Sequence, residues 1–321
     1  MKKKLYGLFL CLPFMQFISV AEPLCASDTG TCYFFGFNKS RPSDAALMQQ
    51  RGYDAVQSVS ALMEQPGFEK HLLQTPVGNP DEPIKRSAFT VTYKSVQDRL
   101  TFWGNTLNSN DTILIYSHTH GLKSRPDRPG GLGLGPDPTD RTQPPILTWQ
   151  EYAEKLLDLP AKTVVVLTMA CHSGELTDYL NTNETTKQKL QDRKENDRDF
   201  LVITSQNADS LSNPRRIEGQ VINPFTYAVM KAFEGDADGY QSGNPDGAIT
   251  LGELSQFILD ETRKHTRSRD EKNDPDPQMT GSFNPNTVIA RRKKGTRACI
   301  CAQSATRTLC HYGVRWAEGF E

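Results

Sequence analysis

Residues 162–174, KTVVVLTMACHSG, constrain the fold more than any other stretch. Val164, Val165, Val166 and Leu167 leave no polar face, so the segment reads as a strand buried on both sides in a parallel sheet. The run stops abruptly at Cys171, His172, Ser173 and Gly174. In open parallel α/β sheets, ligands bind just beyond the carboxyl ends of the strands. Cys171 therefore stands where a nucleophile is useful.

A second run has the same design. ILIYSHTHG ends in Ser117, His118, Thr119, His120 and Gly121. If both strands share one parallel sheet, His120 and Cys171 project over the same edge, 51 positions apart (171 minus 120). A thiol needs a base, or an environment that lowers its pKa, to become a thiolate. Gly121 lets backbone approach a substrate closely, and its N–H with that of Cys171 suits a developing oxyanion.

Strand-like and helix-like runs alternate through the rest of the chain. CYFFGFN, DTILIYSHTHG and DFLVITS read as strands, with FEKHLLQ a further candidate. Residues 43–63, 95–107 and 225–233 read as helices. Thr148 with Glu151, and Thr250 with Glu253, are capping-box patterns that open two more helices. The expected fold is α/β: a three-layer sandwich with a mostly parallel central sheet and helices on both faces. Residues 122–145 carry six prolines and four glycines and read as a long loop, with GGLGLG as turn chemistry. Residues 187–199 hold nine charges of both signs, as a solvated helix end or mobile linker would.

With 37 Lys plus Arg against 38 Asp plus Glu, overall charge gives no reason to expect nucleic acid as a partner. The amino terminus has a secretory layout: Lys2, Lys3 and Lys4, an apolar stretch, then small residues before Ala21. The expectation is a signal peptide over 1–21, cleaved near Ala21 or Ala26, and a periplasmic or secreted product with no stable membrane insertion afterwards. Cleavage at Ala21 leaves Cys25, Cys32, Cys171, Cys299, Cys301 and Cys310, and export permits disulfides among them. If Cys171 stays free, the other five cannot all pair within one chain.

Strand-His-Gly followed by strand-Ala-Cys-x-Ser-Gly resembles the cysteine peptidases of the caspase, metacaspase and legumain group. The histidine-to-cysteine spacing agrees with the caspase pattern. ITSQNADSLS, INPFTYAVMKAFEGDADG, DGAITLGEL and DPQMTG extend the resemblance in order across 30–285, leaving 286–321 as a basic, cysteine-containing tail. The resemblance implies a cysteine endopeptidase of a bacterial secreted type, acting on a protein or peptide and requiring no cofactor. His120 is then the general base and acid, Cys171 the nucleophile, and the Gly121 and Cys171 N–H groups the oxyanion hole. His118 is expected on the opposite face of its strand, as packing or a surface group, and His172 at the edge of the site. The group carries Asp, Gln or Glu two positions before the cysteine, where this chain has Met169. Basic specificity is therefore not expected, and a pocket of Met169, Ser205 or Asn207 suits a neutral or polar side chain.

Other readings stand beside this one. His118 and His120 with Cys171 and His172 form an alternative metal set for a metal-dependent hydrolase. Asp236, Asp238, Asn244, Asp246 and Glu253 admit calcium, although Ser242 occupies the first position of the loop where aspartate is expected. An Asp-Gly turn running into the Thr250–Glu253 capping box explains the same residues without metal, and is favoured. Residues 181–199 are a candidate autoprocessing segment. A catalytically silent binding scaffold and a transpeptidase are the remaining alternatives.

Overall fold

The computed structural model describes residues 30–39, 46–64, 67–74, 91–135, 142, 145–243, 245–266 and 276–291. The signal-peptide segment, the tail beyond 291 and Asn244 lie outside the described residues.

The chain runs β1 (Cys32–Lys39), α1 (Ala46–Leu62), β2 (Glu69–Gln74), α2 (Tyr93–Thr106), β3 (Thr112–Leu122), β4 (Gly131–Gly133), β5 (Ile146–Thr148), α3 (Trp149–Leu157) and β6 (Thr163–Met169). It continues through α4 (Gly174–Thr182), α5 (Glu184–Glu195), β7 (Asp199–Thr204), β8 (Arg215–Ile217), β9 (Gln220–Ile222), α6 (Pro224–Lys231), β10 (Ala248–Thr250), α7 (Leu251–Thr266), β11 (Gln278–Ser282) and β12 (Val288–Arg291).

The central sheet has the order β11-β7-β6-β3-β1-β2. Its neighbours are parallel except β11, which runs antiparallel to β7. Alternation along each strand divides two cores. Val165, Leu167 and Met169 of β6 and Leu114 and Tyr116 of β3 face α1, α6 and α7, meeting Val59, Phe225, Val229, Leu254 and Ile258. Val164, Val166, Ile113 and Ile115 face α2, α3 and α4, meeting Leu100, Trp103, Tyr152, Leu156 and Leu176. Both faces of β6 are thus buried, which is why its sequence carries no polar stripe. The expected α/β sandwich with a mainly parallel sheet between helical layers is the architecture found.

Two expectations need correction. GGLGLG is not turn alone: Gly131–Gly133 forms β4, antiparallel to the end of β3 and to β5. A Cβ at Gly131 would lie 2.2 Å from the Leu147 carbonyl oxygen, so glycine there permits a close strand approach. For the charged stretch the linker reading falls and the helix-end reading stands, since most of it is the carboxyl-terminal part of α5. Its Arg193 is buried and donates to the carbonyls of Leu159, Ala161 and Asp199 at 2.8, 3.0 and 3.1 Å.

Chain order reverses between β1 and β3, since β2 lies beyond β1 on one side while β6 and β7 lie beyond β3 on the other. The crevice outside the carboxyl ends at such a switch point is where α/β sheets hold ligands. The ends of β3 and β6 border it.

Candidate active site

Registration of β3 against β6, with His118 opposite Met169, brings the two strand ends level. Beyond them the chains touch. An ideal Cβ on Gly121 would sit 1.6 Å from the Cys171 carbonyl oxygen and 3.0 Å from its nitrogen. Only a residue without a side chain allows that approach. His120 is therefore the residue adjoining the one in backbone contact with Cys171.

Cys171 is partly buried with a free thiol. Burial pushes the thiol's pKa up, while the backbone N–H groups of Ser212, Cys171 itself and Gly121 pull it down, burial being the larger influence. The Ser212 N–H donates to Sγ at 3.2 Å. Cys171 lies three residues ahead of the first residue of α4, Gly174, whose helix N-terminus adds partial positive charge nearby.

The turn between them is held tightly. His172 has φ +56°, a left-handed conformation uncommon for a side-chain-bearing residue. Its N–H donates to the Ser210 carbonyl at 3.0 Å, and its Nδ1 lies 2.9 Å from the Ala208 carbonyl oxygen. These contacts pin the segment after β7 over the cysteine turn. Gly174 continues the contact, because a Cβ there would meet the Ala208 nitrogen at 2.4 Å.

His118 does not face away from His120, as expected from the sequence. Residues two apart on a strand share a face. His118 Nδ1 is buried without a hydrogen-bond partner, and burial together with the neighbouring His120 holds its pKa down to about 3. A neutral His118 is therefore part of the same wall as His120.

The three residues assigned to a specificity pocket fall around the cysteine turn. Met169 is buried, and the Ser212 hydroxyl donates to its sulfur at 3.1 Å. Ser205 is fully buried, with its hydroxyl accepting from the Ala170 N–H and donating to the Ala170 carbonyl, both at 3.2 Å. Asn207 is half-buried, and its Oδ1 accepts the Asp209 N–H at 3.0 Å. Sequence reasoning missed Ser212 and Asn223. The Asn-Pro pair at 223–224 does mark a helix start, with Asn at the N-cap and Pro at the first helical position. Nothing in the sequence signals that this cap reaches Ser212.

The loop after Gly121 is fastened on both flanks. Ser124 donates its N–H to Glu175 Oε1 at 2.9 Å, and the exposed Lys123 pairs with Asp209 at 2.5 Å. In the acidic turn, the carboxylates are turned onto backbone amides. Glu253 accepts from the N–H groups of Gly239 and Thr250, and completes contacts with the Thr250 hydroxyl. Asp238 accepts from Gly247, and Asp246 from Ala248. Among the described residues, no three His, Cys, Asp or Glu side chains gather in a group able to hold a metal ion. Cys32 is disulfide-bonded. Among the described residues, no helix is long and apolar enough to cross a membrane.

No family model and no curated protein matches the chain. Among solved structures, it is similar to protein GSU0716 from Geobacter sulfurreducens, with 15% identity and a TM-score of 0.45 over 83% of this chain and 98% of that one. It is also similar to caspase-1 from Spodoptera frugiperda, with 12% identity and a TM-score of 0.49 over 86% of this chain and 96% of that one. Likenesses this distant carry no functional conclusion, which rests on the site itself.

Proposed function

We propose that the chain is an exported cysteine endopeptidase of the caspase, metacaspase and legumain kind, with Cys171 as nucleophile and His120 as its proton carrier. The observation that carries this reading is the close meeting of the Gly121 and Cys171 backbones at the strand ends, next to the residue that bears the thiol.

Burial raises the pKa of the resting thiol, so its proton has to be taken up as the sulfur attacks. His120 accepts the thiol proton as Sγ attacks the scissile carbonyl. The carbonyl oxygen becomes an oxyanion that accepts from the Gly121 and Cys171 N–H groups, which are already fixed before substrate arrives. Collapse breaks the C–N bond. The amine leaves with the proton held on His120, and a thioester remains on Cys171. Water, deprotonated by His120, then releases the acid and regenerates the thiol.

Met169 stands where the family places a charged or amide side chain, and the hydroxyl and amide of Ser212 and Asn223 lie close by. A neutral residue before the scissile bond suits that setting. The test is a fluorogenic peptide library varied at that residue, assayed under reducing conditions. Cleavage of neutral members by wild type, falling at least about a thousandfold in Cys171→Ala and in His120→Ala, is the expected result. Undiminished cleavage by Cys171→Ala overturns the proposal.

A further inference from the structure

The Ser212 N–H that reaches the thiol is itself held by a short chain of side chains. Asn223 caps α6 through its Oδ1, which accepts the Phe225 N–H at 2.9 Å. The other end of the same amide, Nδ2, donates to the Ser212 hydroxyl oxygen at 2.5 Å. That hydroxyl donates onward to Met169 Sδ at 3.1 Å. Ser212 is thus gripped from α6 on one side and from the end of β6 on the other, and its main-chain N–H is left directed at Cys171 Sγ at 3.2 Å. Asn223 is buried, so the amide is shielded from competing water.

We infer that Asn223 and Ser212 form a positioning relay, anchored on the amino end of α6, that holds a third N–H donor on the nucleophilic sulfur. The inference rests on the cysteine-nucleophile reading of the site. Neither side chain touches the reacting atoms; each acts through the Ser212 backbone. A sulfur carrying negative charge gains more from an N–H donor than a neutral thiol does. The relay therefore favours the thiolate against the burial that opposes it. It also explains why Ser212 is fixed although it sits in a loop, between β7 and β8. The α6 cap needs only the carbonyl end of an amide, and serine, threonine or aspartate would serve. Asparagine supplies both the acceptor for the cap and the donor for Ser212.

The test follows the pH dependence of Cys171 alkylation by iodoacetamide, with the modified residue located by peptide mass mapping. This needs no peptide substrate, so it separates failure of the relay from failure of the peptidase reading. The variants are Ser212→Ala, Ser212→Thr and Asn223→Ser, the last keeping an N-cap residue too short to reach Ser212. Loss of one charge-assisted hydrogen bond moves the alkylation midpoint upward by about one pH unit in Ser212→Ala and Asn223→Ser. The double variant Ser212→Ala with Asn223→Ser moves no further, since the two residues act in series. Ser212→Thr restores the hydroxyl and returns the midpoint toward wild type. Folding of each variant is checked by circular dichroism. An unmoved midpoint in folded Ser212→Ala and Asn223→Ser, or two shifts that simply add, overturns the relay.

Discussion

His118 shows how a single side chain ties the site to the stability of the protein. His118 is partly buried, with its Nδ1 shut off from solvent, and its folded-state pKa is about 3 against an ordinary 6.5. A histidine depressed in this way stabilises the fold fully above its unfolded pKa. The contribution is lost as pH falls from about 6.5 towards 3, because the unfolded chain takes up the proton first. Across that window this one group costs up to about 1.4 kcal/mol per pH unit. Urea unfolding of wild type and His118→Asn at neutral and mildly acid pH checks this. The variant should show the shallower loss, and equal slopes would contradict the assignment. The sequence singles out His120, Gly121 and Cys171 as candidates because they stand at the ends of apolar runs as groups that packing does not need. It conceals Ser212, a polar residue in a polar loop, because only the folded chain brings it to the sulfur.

At the scale of elements, the long strands and helices were legible and the short strands were not. β3, β6 and β7 declare themselves through uninterrupted β-branched and aliphatic runs. β4, β8, β9 and β10 are three residues each, too short for a period of two to register. α5 was obscured for a different reason. Its exposed face is wholly polar and mostly charged, so the sequence looks like a solvated run, and its buried anchors are only Thr186 and Arg193. Arg193 stacks over Phe200, its ring centroid 5.5 Å from the guanidinium carbon, and supplies donors to three carbonyls at the amino-terminal edge of the sheet. Arg198 shares two of those carbonyls. Arg193→Ala leaves a cavity and an under-served carbonyl cluster, and should destabilise by roughly 3 kcal/mol in urea unfolding. Arg193→Met, which refills most of the volume, should cost less than half as much. Equal costs would show that the hydrogen bonds, not the packing, dominate.

For the whole molecule, the decisive feature is connectivity. Chain reversal between β1 and β3 opens the crevice at the carboxyl edge, and the ends of β3 and β6 beside it lead to His120 and Cys171. Segments from elsewhere converge there: residues 205–212 after β7, the cap of α6, and the loop after Gly121 joined across the edge through Lys123 and Asp209. The last of these is an exposed ion pair, screened by salt, and it orders the rim more than it stabilises the fold. The alternating strands and helices foretold this layered architecture, since a sheet apolar on both faces has to be covered twice. The central claim is that Cys171 becomes acylated with the help of His120. Reaction with a peptidyl acyloxymethyl ketone bearing a neutral residue next to the warhead, followed by intact mass and peptide mapping, tests it most directly. The account predicts one adduct per chain, located on Cys171, formed far more slowly in His120→Ala and abolished by prior unfolding. An adduct on another cysteine, or equal labelling of native and unfolded protein, would contradict it.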